Sequence, residues 1–325
     1  MFSLMRLRPL ILLSMLILTG LFTACRDDDE GVACNDSFAE NYNPGSVNNL
    51  DCSYPNSFKS IETIAELPAT LQEISGLARY GELLIGHNDR GNPARLHAFS
   101  PEDGSVQHSF NVTNVPNIDW EDLAQNEDYL FVGDFGNNEG DRQDLAIHLI
   151  PWSSIDPAQS LALEVDTSIF FRYPEQTRFD VERHNFDCEA MIYWQGMLYL
   201  FTKHRADDRS NLYRVPMVPG VVHDAQLLGG FNAGGRITGA DISADGGIVA
   251  LVGYKRSGNC FVWKLTEFQE GSFLSGRKEQ YTFGPYSVFG QMESIIFASD
   301  TELYIGSEED SNFNLPPRLY RVSDF

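Results

Sequence analysis

The segment Leu83-Leu84-Ile85-Gly86 is the first of five similar short runs, and its recurrence along the chain decides the fold. The other four runs are Leu130-Phe131-Val132-Gly133, Tyr199-Leu200-Phe201-Thr202, Ala250-Leu251-Val252-Gly253 and Leu303-Tyr304-Ile305-Gly306. Each is followed by a polar loop and a second strand-like run. A β-rich unit that recurs in this way is typical of a β-propeller, in which each unit forms one four-stranded blade. The sequence therefore predicts five blades.

The fifth unit has only three strands before the chain stops at Phe325. An unassigned strand-like segment, residues 60–65, precedes the first unit. We predict that it completes the fifth blade and closes the ring, because propellers join their two ends within one blade. The fold class is then all-β, a five-bladed β-propeller of four-stranded antiparallel blades over residues 57–325. Residues 161–173 are predicted to form one long outer strand of blade two.

The N-terminus has the pattern of an export signal. Arg6 and Arg8 precede an apolar run at residues 10–22, which is too short to span a bilayer comfortably. The segment Phe22-Thr23-Ala24-Cys25 resembles a lipobox, in which cleavage occurs before a Cys that carries acyl chains such as palmitate. We expect residues 1–24 to be a lipoprotein signal peptide and Cys25 the lipidated residue. The alternative is an ordinary signal peptide.

An acidic run, Arg26-Asp27-Asp28-Asp29-Glu30, follows the expected anchor. It resembles the surface-export signal of Bacteroidetes lipoproteins, which implies a lipid-anchored protein on the outer face of the outer membrane. Residues 25–33 are expected to form a lipid-anchored acidic tether, and the bland interpretation of the acidic run is that it only solvates this tether. The periplasmic face is the alternative location.

A Cys-bracketed segment, residues 34–56, separates this tether from the propeller. Cys34 and Cys52 flank a short polar stretch in an expected exported protein, and this context predicts a disulfide. The segment resembles a small element of Bacteroidetes surface proteins, and it is either a loose calcium site or a polar spacer. Cys188 and Cys260 lie in apolar runs and are predicted to be buried thiols.

The composition limits the choice of partner. The chain has 46 acidic and 23 basic residues and a formal net charge of −23. Phosphate backbones repel such a chain, so nucleic acid is a poor partner, whereas divalent cations are a good one. We expect a monomer.

Each predicted inner strand opens with a related motif. The five motifs are Glu73-Ile74-Ser75-Gly76-Leu77, Asp119-Trp120-Glu121-Asp122-Leu123, Asp187-Cys188-Glu189-Ala190-Met191, Arg236-Ile237-Thr238-Gly239-Ala240 and Gln291-Met292-Glu293-Ser294-Ile295. Their third position is always an oxygen-bearing residue: Ser75, Glu121, Glu189, Thr238 and Glu293. Inner strands line the channel, so these side chains are expected to converge on the axis.

Carboxylates that are forced together either take up protons or bind a cation. Three carboxylates and two hydroxyls form an all-oxygen set, which suits Ca²⁺ with its six to eight oxygen ligands. The alternative is that this column is only the polar, solvated entrance of each inner strand.

The loops on the same face hold a second group of polar side chains. We predict that they bind a small anionic ligand beside the metal. The predicted ligand-binding residues are Asp89, Arg90, Asn137, Arg142, Lys203, Arg205 and Lys255. Ordinary polar surface loops are the alternative.

The motifs EISGL, WEDLA, CEAM, ITGADIS and MESI resemble the SdiA-regulated family of exported propellers. The order Ser, Glu, Glu, Thr, Glu is also similar to that of the calcium-activated nucleotidases (apyrases), five-bladed propellers with an axial Ca²⁺. That resemblance implies Ca²⁺ ligation by the five-residue column, with Thr238 standing where those enzymes have Ser. It does not extend to the rest of their substrate site.

The sequence leaves open whether the protein is an enzyme. The preferred function is a calcium-binding propeller that captures an anionic ligand or surface partner. The alternative is a calcium-dependent nucleotide or phosphoester hydrolase, in which Asp89 or Asp134 orients a water and Lys203 and Lys255 hold phosphate. A lactonase-like hydrolase is a weaker third option. No G-x-S-x-G motif is present, which argues against serine esterase chemistry.

Overall fold

A computed structural model of the chain describes residues 33–48, 50–179 and 183–325. The predicted signal peptide, Cys25 and all of the predicted tether except Ala33 lie outside the described residues. Within the described part, no helix has both the length and the apolar character needed to cross a membrane.

The described residues form 23 strands, which we number in chain order. The first eleven are β1 (Asn56–Phe58), β2 (Glu62–Glu66), β3 (Ile74–Tyr80), β4 (Leu83–Asn88), β5 (Arg95–Phe99), β6 (Val106–Val112), β7 (Trp120–Gln125), β8 (Tyr129–Asp134), β9 (Ala146–Pro151), β10 (Ala162–Leu163) and β11 (Thr167–Arg172). The others are β12 (Asp187–Trp194), β13 (Met197–Lys203), β14 (Arg209–Pro216), β15 (Val222–Asp224), β16 (Gln226–Asn232), β17 (Arg236–Ile242), β18 (Val249–Tyr254), β19 (Asn259–Thr266), β20 (Arg277–Pro285), β21 (Met292–Ser299), β22 (Glu302–Ser307) and β23 (Arg318–Val322). Between them lie one short helix, α1 (Tyr286–Phe289), and three 3-10 turns at Ala69–Leu71, Trp152–Ser154 and Phe273–Ser275.

The strands form five blades around one axis, which confirms the predicted propeller. From the axis outward the blades are β3-β4-β5-β6, β7-β8-β9-β11, β12-β13-β14-β16, β17-β18-β19-β20 and β21-β22-β23-β2. The strands within these sets of four pair antiparallel. The inner strands contact one another in turn, and β21 contacts β3 to complete the ring.

The ring closes as predicted through an N-terminal strand. β2 pairs antiparallel with β23, so the fifth blade contains both an early and a late segment of the chain. Glu62 accepts a hydrogen bond of 2.6 Å from Arg321 across this junction.

Three blades carry an extra outer strand that pairs in parallel: β10 on β6, β15 on β11 and β1 on β20. The prediction of one long strand over residues 161–173 was therefore wrong. Its first part, β10, extends blade one, and only β11 is the outer strand of blade two. The side chain of Asn114 holds the chain to blade one between these strands, because it donates to the Val165 carbonyl and accepts from the Val165 N–H.

Every inner strand carries a β-bulge near its start, at the motif that the sequence repeats. The inserted residues are Gly76, Glu121, Glu189, Thr238 and Glu293. Four of these belong to the predicted column, and Gly76 follows its fifth member, Ser75. A bulge interrupts the alternation of a strand and re-aims its side chains. This explains how the adjacent residues Glu121 and Asp122 both face the channel.

The carboxylate of Asp122 accepts hydrogen bonds from the inner strands of three blades. Its Oδ1 accepts the N–H of Leu123 at 2.8 Å, and its Oδ2 accepts those of Met191 at 2.7 Å and Ala240 at 3.3 Å. These donors belong to blades two, three and four. Because blades two and four are not adjacent in a ring of five, the carboxylate must lie close to the axis.

The Cys-bracketed segment is docked on blades three and four. The predicted disulfide joins Cys34 and Cys52, and both residues are buried in one apolar cluster with Phe231 and Trp263. Asp51 of the same segment forms an ion pair of 2.6 Å with Arg209.

A buried ion pair also ties this segment to blade four. Lys278 on β20 donates to Asp36 Oδ2 at 2.7 Å and to the Gly276 carbonyl at 3.1 Å. Tyr54 donates to the same oxygen of Asp36 at 2.8 Å, and its ring packs edge-on against Trp263 at 5.9 Å. Asp36 and Tyr54 of the segment thus take part in docking it on blade four.

Candidate functional site

The five predicted axial residues all lie at the bulges of the inner strands, and each is at least 98% buried. The two hydroxyl groups join neighbouring blades. Ser75 Oγ donates to the Glu121 carbonyl at 2.8 Å, and Thr238 Oγ1 donates to the Met292 carbonyl at 2.5 Å. Each hydroxyl oxygen keeps lone pairs that can accept another bond.

Lys203 occupies the axial side of the site. Its Nζ donates to Glu189 Oε2 and lies 3.9 Å from Glu293 Oε1. Burial opposes the charge on Lys203, but the two carboxylates outweigh it and raise its pKa well above the ordinary value. Lys203 was predicted to hold a ligand, and here it is the counter-ion of two predicted metal ligands.

Several buried carboxylate oxygens have no hydrogen-bond partner among the described residues. They are Glu121 Oε1, Asp119 Oδ1 and both carboxylate oxygens of Glu293. Burial raises the pKa of Glu293 to about 7 and, together with the nearby Asp89 carboxylate, the pKa of Asp119 to about 8. Burial and the neighbouring acids raise the pKa of Glu121 well above its ordinary value. Buried polar atoms are normally paired, so these oxygens lack the proton or the cation that would pair them.

Two acidic groups at the mouth have the spacing of metal ligands. One consists of Asp89, Asp119 and Glu121, the other of Glu121, Asp187 and Glu189. Within each group one ligand atom per residue lies within 4.8 Å of the others. Glu121 and Glu189 were predicted as ligands, whereas Asp119 and Asp187 were missed. The signal was present, because each stands two positions before a predicted Glu, on the same face of an extended strand.

Gly136 allows the chain to pass close to the first group. A Cβ at this position would collide with Glu121 Oε1 and Asp119 Oδ2. The backbone of the loop after β8 therefore forms a wall against these two carboxylates, and only glycine fits there.

A cavity of about 250 Å³ opens beside the carboxylates. It is lined by Asp89, Arg90, Asn138, Glu189, Lys203, Arg205, Arg236, Tyr254, Arg256, Gln291 and Glu293. Four of the seven predicted ligand-binding residues are among them, namely Asp89, Arg90, Lys203 and Arg205. Arg236 and Arg256 were missed. Arg236 stands at the first position of its motif, where two other blades carry Asp119 and Asp187.

The side chain of Arg236 differs from those of Arg90 and Arg205. It is half-buried, and it makes no hydrogen bond or ion pair with any residue in the described ranges. Arg90 and Arg205, in contrast, have carboxylate partners: Glu139 at 3.0 Å and Asp187 at 2.6 Å. A half-buried guanidinium with unused donors can bind an anion from solution.

The other predicted site residues lie outside the cavity. Asn137 is buried and donates its backbone N–H to Asp187 Oδ1. Arg142 pairs with Asp134 at 2.9 Å, and His148 approaches the same carboxylate at 3.5 Å. Lys255 pairs with Asp208 at the surface.

No protein-family profile matches the sequence, and no curated protein matches it. Solved structures resemble this chain at low similarity. A hypothetical protein from Leishmania major is 15% identical, with a TM-score of 0.43, covering 82% of this chain and 91% of that chain. The WD40 β-propeller domain of Doa1 is 10% identical, with a TM-score of 0.39, covering 81% and 97%. A chain of the Mitotic Checkpoint Complex is 12% identical, with a TM-score of 0.35, covering 78% of this chain and 64% of that chain. This chain thus spans less than two thirds of the length of that last protein, and these likenesses concern the fold alone.

Proposed function

We propose that the protein is a cell-envelope lipoprotein whose propeller binds a divalent cation, Ca²⁺, and captures a small anionic ligand at the channel mouth. One observation carries the proposal. Glu121 is fully buried among other acids, and its Oε1 has no partner in the described part of the chain. A bound cation supplies the partner that this oxygen lacks.

The choice of Ca²⁺ follows from the ligand atoms. Every acid in the two groups offers carboxylate oxygen, and neither group contains His or Cys. Such hard oxygen sets are typical of Ca²⁺, whereas Zn²⁺ prefers nitrogen and sulfur.

The anionic ligand follows from the basic side chains that line the cavity. Arg236 has free donors, and Arg90, Arg205, Arg256 and Lys203 lie around the same space. A cation beside several guanidinium groups favours an oxyanion, a phosphate or a carboxylate. The volume suits the anionic head of a ligand whose remaining part extends into solvent.

The envelope location rests on Cys25 and the acidic run that follows it. Incorporation of radiolabelled palmitate tests the anchor. We expect the label to be lost in Cys25→Ser, and retained label would refute the lipoprotein assignment.

Calorimetric titration of the chelator-treated full chain with calcium tests the metal. We expect one binding event, and we expect Glu121→Gln to abolish it. Glu82→Gln is the matched control, because Glu82 is exposed in the turn between β3 and β4. Absence of binding in the unmodified chain would refute the proposal.

A second function, calcium-dependent phosphoester hydrolysis, is favoured by one position. Asp89 both lines the anion cavity and belongs to an acidic group, so it can orient a water toward a bound phosphoryl group. Asp134, the other predicted candidate, is occupied by Arg142 and by the N–H of Asp119. Phosphate release from a nucleotide panel, with and without chelator, tests this. No release from any nucleotide would remove the hydrolase.

A further inference from the structure

The two acidic groups at the mouth share Glu121, but their other members differ in how their oxygens are used. This difference decides where a cation can bind. It also distinguishes a cation on the axis, which the repeated column predicts, from a cation to one side of it.

The group on the axial side is already supplied with positive charge. Asp187 uses both oxygens, since Oδ1 accepts the Asn137 N–H at 2.7 Å and Oδ2 accepts Arg205 Nε at 2.6 Å. Glu189 Oε2 accepts from Lys203, and Glu189 Oε1 lies 3.8 Å from Arg205 Nη2. The fully buried Lys203 ammonium therefore occupies the place where an axial cation would bind Glu189.

The group between blades one and two is open. Glu121 Oε1 and Asp119 Oδ1 have no hydrogen-bond partner in the described ranges. Asp89 accepts from the backbone N–H of Arg90 and is the only half-exposed member of the group. Asp119 immediately precedes β7, Glu121 is its second residue, and Asp89 follows the end of β4, so the three side chains come from adjacent blades.

The nearest basic side chain does not close this group. The half-exposed Arg90 guanidinium lies 3.8 Å from Asp119 Oδ1, beyond hydrogen-bond length, and is bonded to Glu139 at 3.0 Å. The loop backbone at Gly136 passes close to Glu121 Oε1 and Asp119 Oδ2. Asp89 is the member of the group that also lines the cavity.

We infer that the divalent cation binds off the axis, held by Asp89, Asp119 and Glu121, while Lys203 remains the permanent counter-ion of Glu189 and Glu293. The inference rests on the proposed cation-binding function and specifies its site. This inference gives the five residues of the predicted column different roles. Glu121 ligates the metal, Glu189 and Glu293 hold Lys203, and the hydroxyls of Ser75 and Thr238 join blades.

This placement also orients the anionic ligand. Asp89, Lys203 and Arg236 line the same cavity but belong to blades one, three and four. A metal at Asp89 is therefore at one side of the cavity and the free guanidinium of Arg236 at another. An oxyanion between them contacts both.

Calorimetry of the full chain with calcium alone tests the placement. We expect Asp119→Asn to weaken calcium binding at least tenfold and Glu293→Gln to leave it within about twofold of the unmodified chain. Asp89→Asn should also weaken it, and this loop variant decides the matter if Asp119→Asn does not fold. Circular dichroism melting in chelator monitors folding, and Glu82→Gln is the exposed control.

The outcomes separate the two proposals. Loss of binding in Glu293→Gln, alone or together with Asp119→Asn, would overturn the off-axis site and restore the axial one, with the proposed function intact. Retained binding in both Asp119→Asn and Asp89→Asn would also overturn it. An unmodified chain that binds no calcium would refute the proposed function itself.

Discussion

The Cys-bracketed segment and the channel mouth both bury charged side chains, but they treat them differently. Where the segment docks, Lys278 of blade four is nearly inaccessible and donates to Asp36 and to a backbone carbonyl, and Asp36 also accepts from Tyr54. At the mouth, Glu121 is as deeply buried and keeps an oxygen without a partner. Burial alone therefore does not mark a site. A buried polar atom that lacks a hydrogen-bond partner does mark one, because buried polar groups with a structural role are normally paired within the chain.

The same contrast appears between two consecutive residues. Asp122 and Glu121 both face the channel, since the bulge in β7 turns them the same way. Asp122 accepts three backbone N–H groups, and Glu121 Oε1 accepts none. The Asp122 carboxylate thus joins the inner strands of the ring, and the neighbouring Glu121 carboxylate has an oxygen available for a ligand.

The largest expected effect is at Asp122. Asp122→Ala leaves three buried N–H groups without an acceptor and should lower the free energy of unfolding by about 4 kcal/mol. Urea unfolding followed by circular dichroism measures it. Asp122→Asn keeps one acceptor oxygen and should cost about half as much. A loss below about 1 kcal/mol in Asp122→Ala would mean that the axial carboxylate does not support the ring.

The disulfide should have the next largest effect. Replacing Cys34 and Cys52 together by Ser removes a cross-link over 18 residues, which is worth about 3 kcal/mol of unfolding free energy. Urea unfolding measures the loss, and calorimetry should show unchanged calcium affinity. A parallel loss of calcium affinity would contradict the separation of the docking segment from the mouth.

The smallest expected effect is the change in the free energy of unfolding when one buried acid is replaced by its amide. It should have opposite signs at the channel mouth and in the Cys-bracketed segment. In chelator at pH 7, Glu121→Gln should raise the free energy of unfolding by about 1 kcal/mol, because burial opposes ionisation of the Glu121 carboxyl in the folded state while the unfolded chain ionises it freely. Asp36→Asn should lower it by about 2 kcal/mol, because Lys278 loses its partner.

The Glu121 effect should also depend on pH. The folded-state pKa of Glu121 lies well above its usual value of 4.5. Below that usual value the residue is protonated in both states, and Glu121→Gln should match the unmodified chain. The advantage of the variant should grow as pH rises above it, because only the unfolded state then ionises freely. Urea unfolding at pH 4 and pH 7 tests this, and equal differences at both pH values would contradict it.

The fold was predictable because each blade repeats an apolar inner run and a motif that begins it. That repetition also located the bulges, since four of the five inserted residues are members of the predicted column. The outer parallel strands were not predictable. β10 has two residues and β1 has three, which is too short for any periodicity to appear.

The partners of the buried charges were also beyond the sequence. The approach of Lys203 to Glu293 depends on a distance between blades three and five, which no spacing along the chain encodes. Its contact with Glu189 lies within the β12-β13 hairpin of blade three. The sequence did contain a signal for three missed residues, because they share the first position of the repeated motif: Asp119, Asp187 and Arg236. A column that mixes charges of both signs is harder to interpret than a column of oxygen ligands alone.

The closure of the ring by β2 has a consequence for the timing of folding. Glu62 and Arg321 pair across 259 residues of sequence, and contacts so distant form slowly because the intervening chain must first be ordered. During synthesis β2 is made early, and its edge stays unpaired until β23, its partner in blade five, has been synthesised. Gln291 and Glu293, which line the anion cavity, belong to that same blade. The binding mouth therefore needs the part of the chain that is synthesised last, and a partly synthesised chain lacks two residues of the anion cavity.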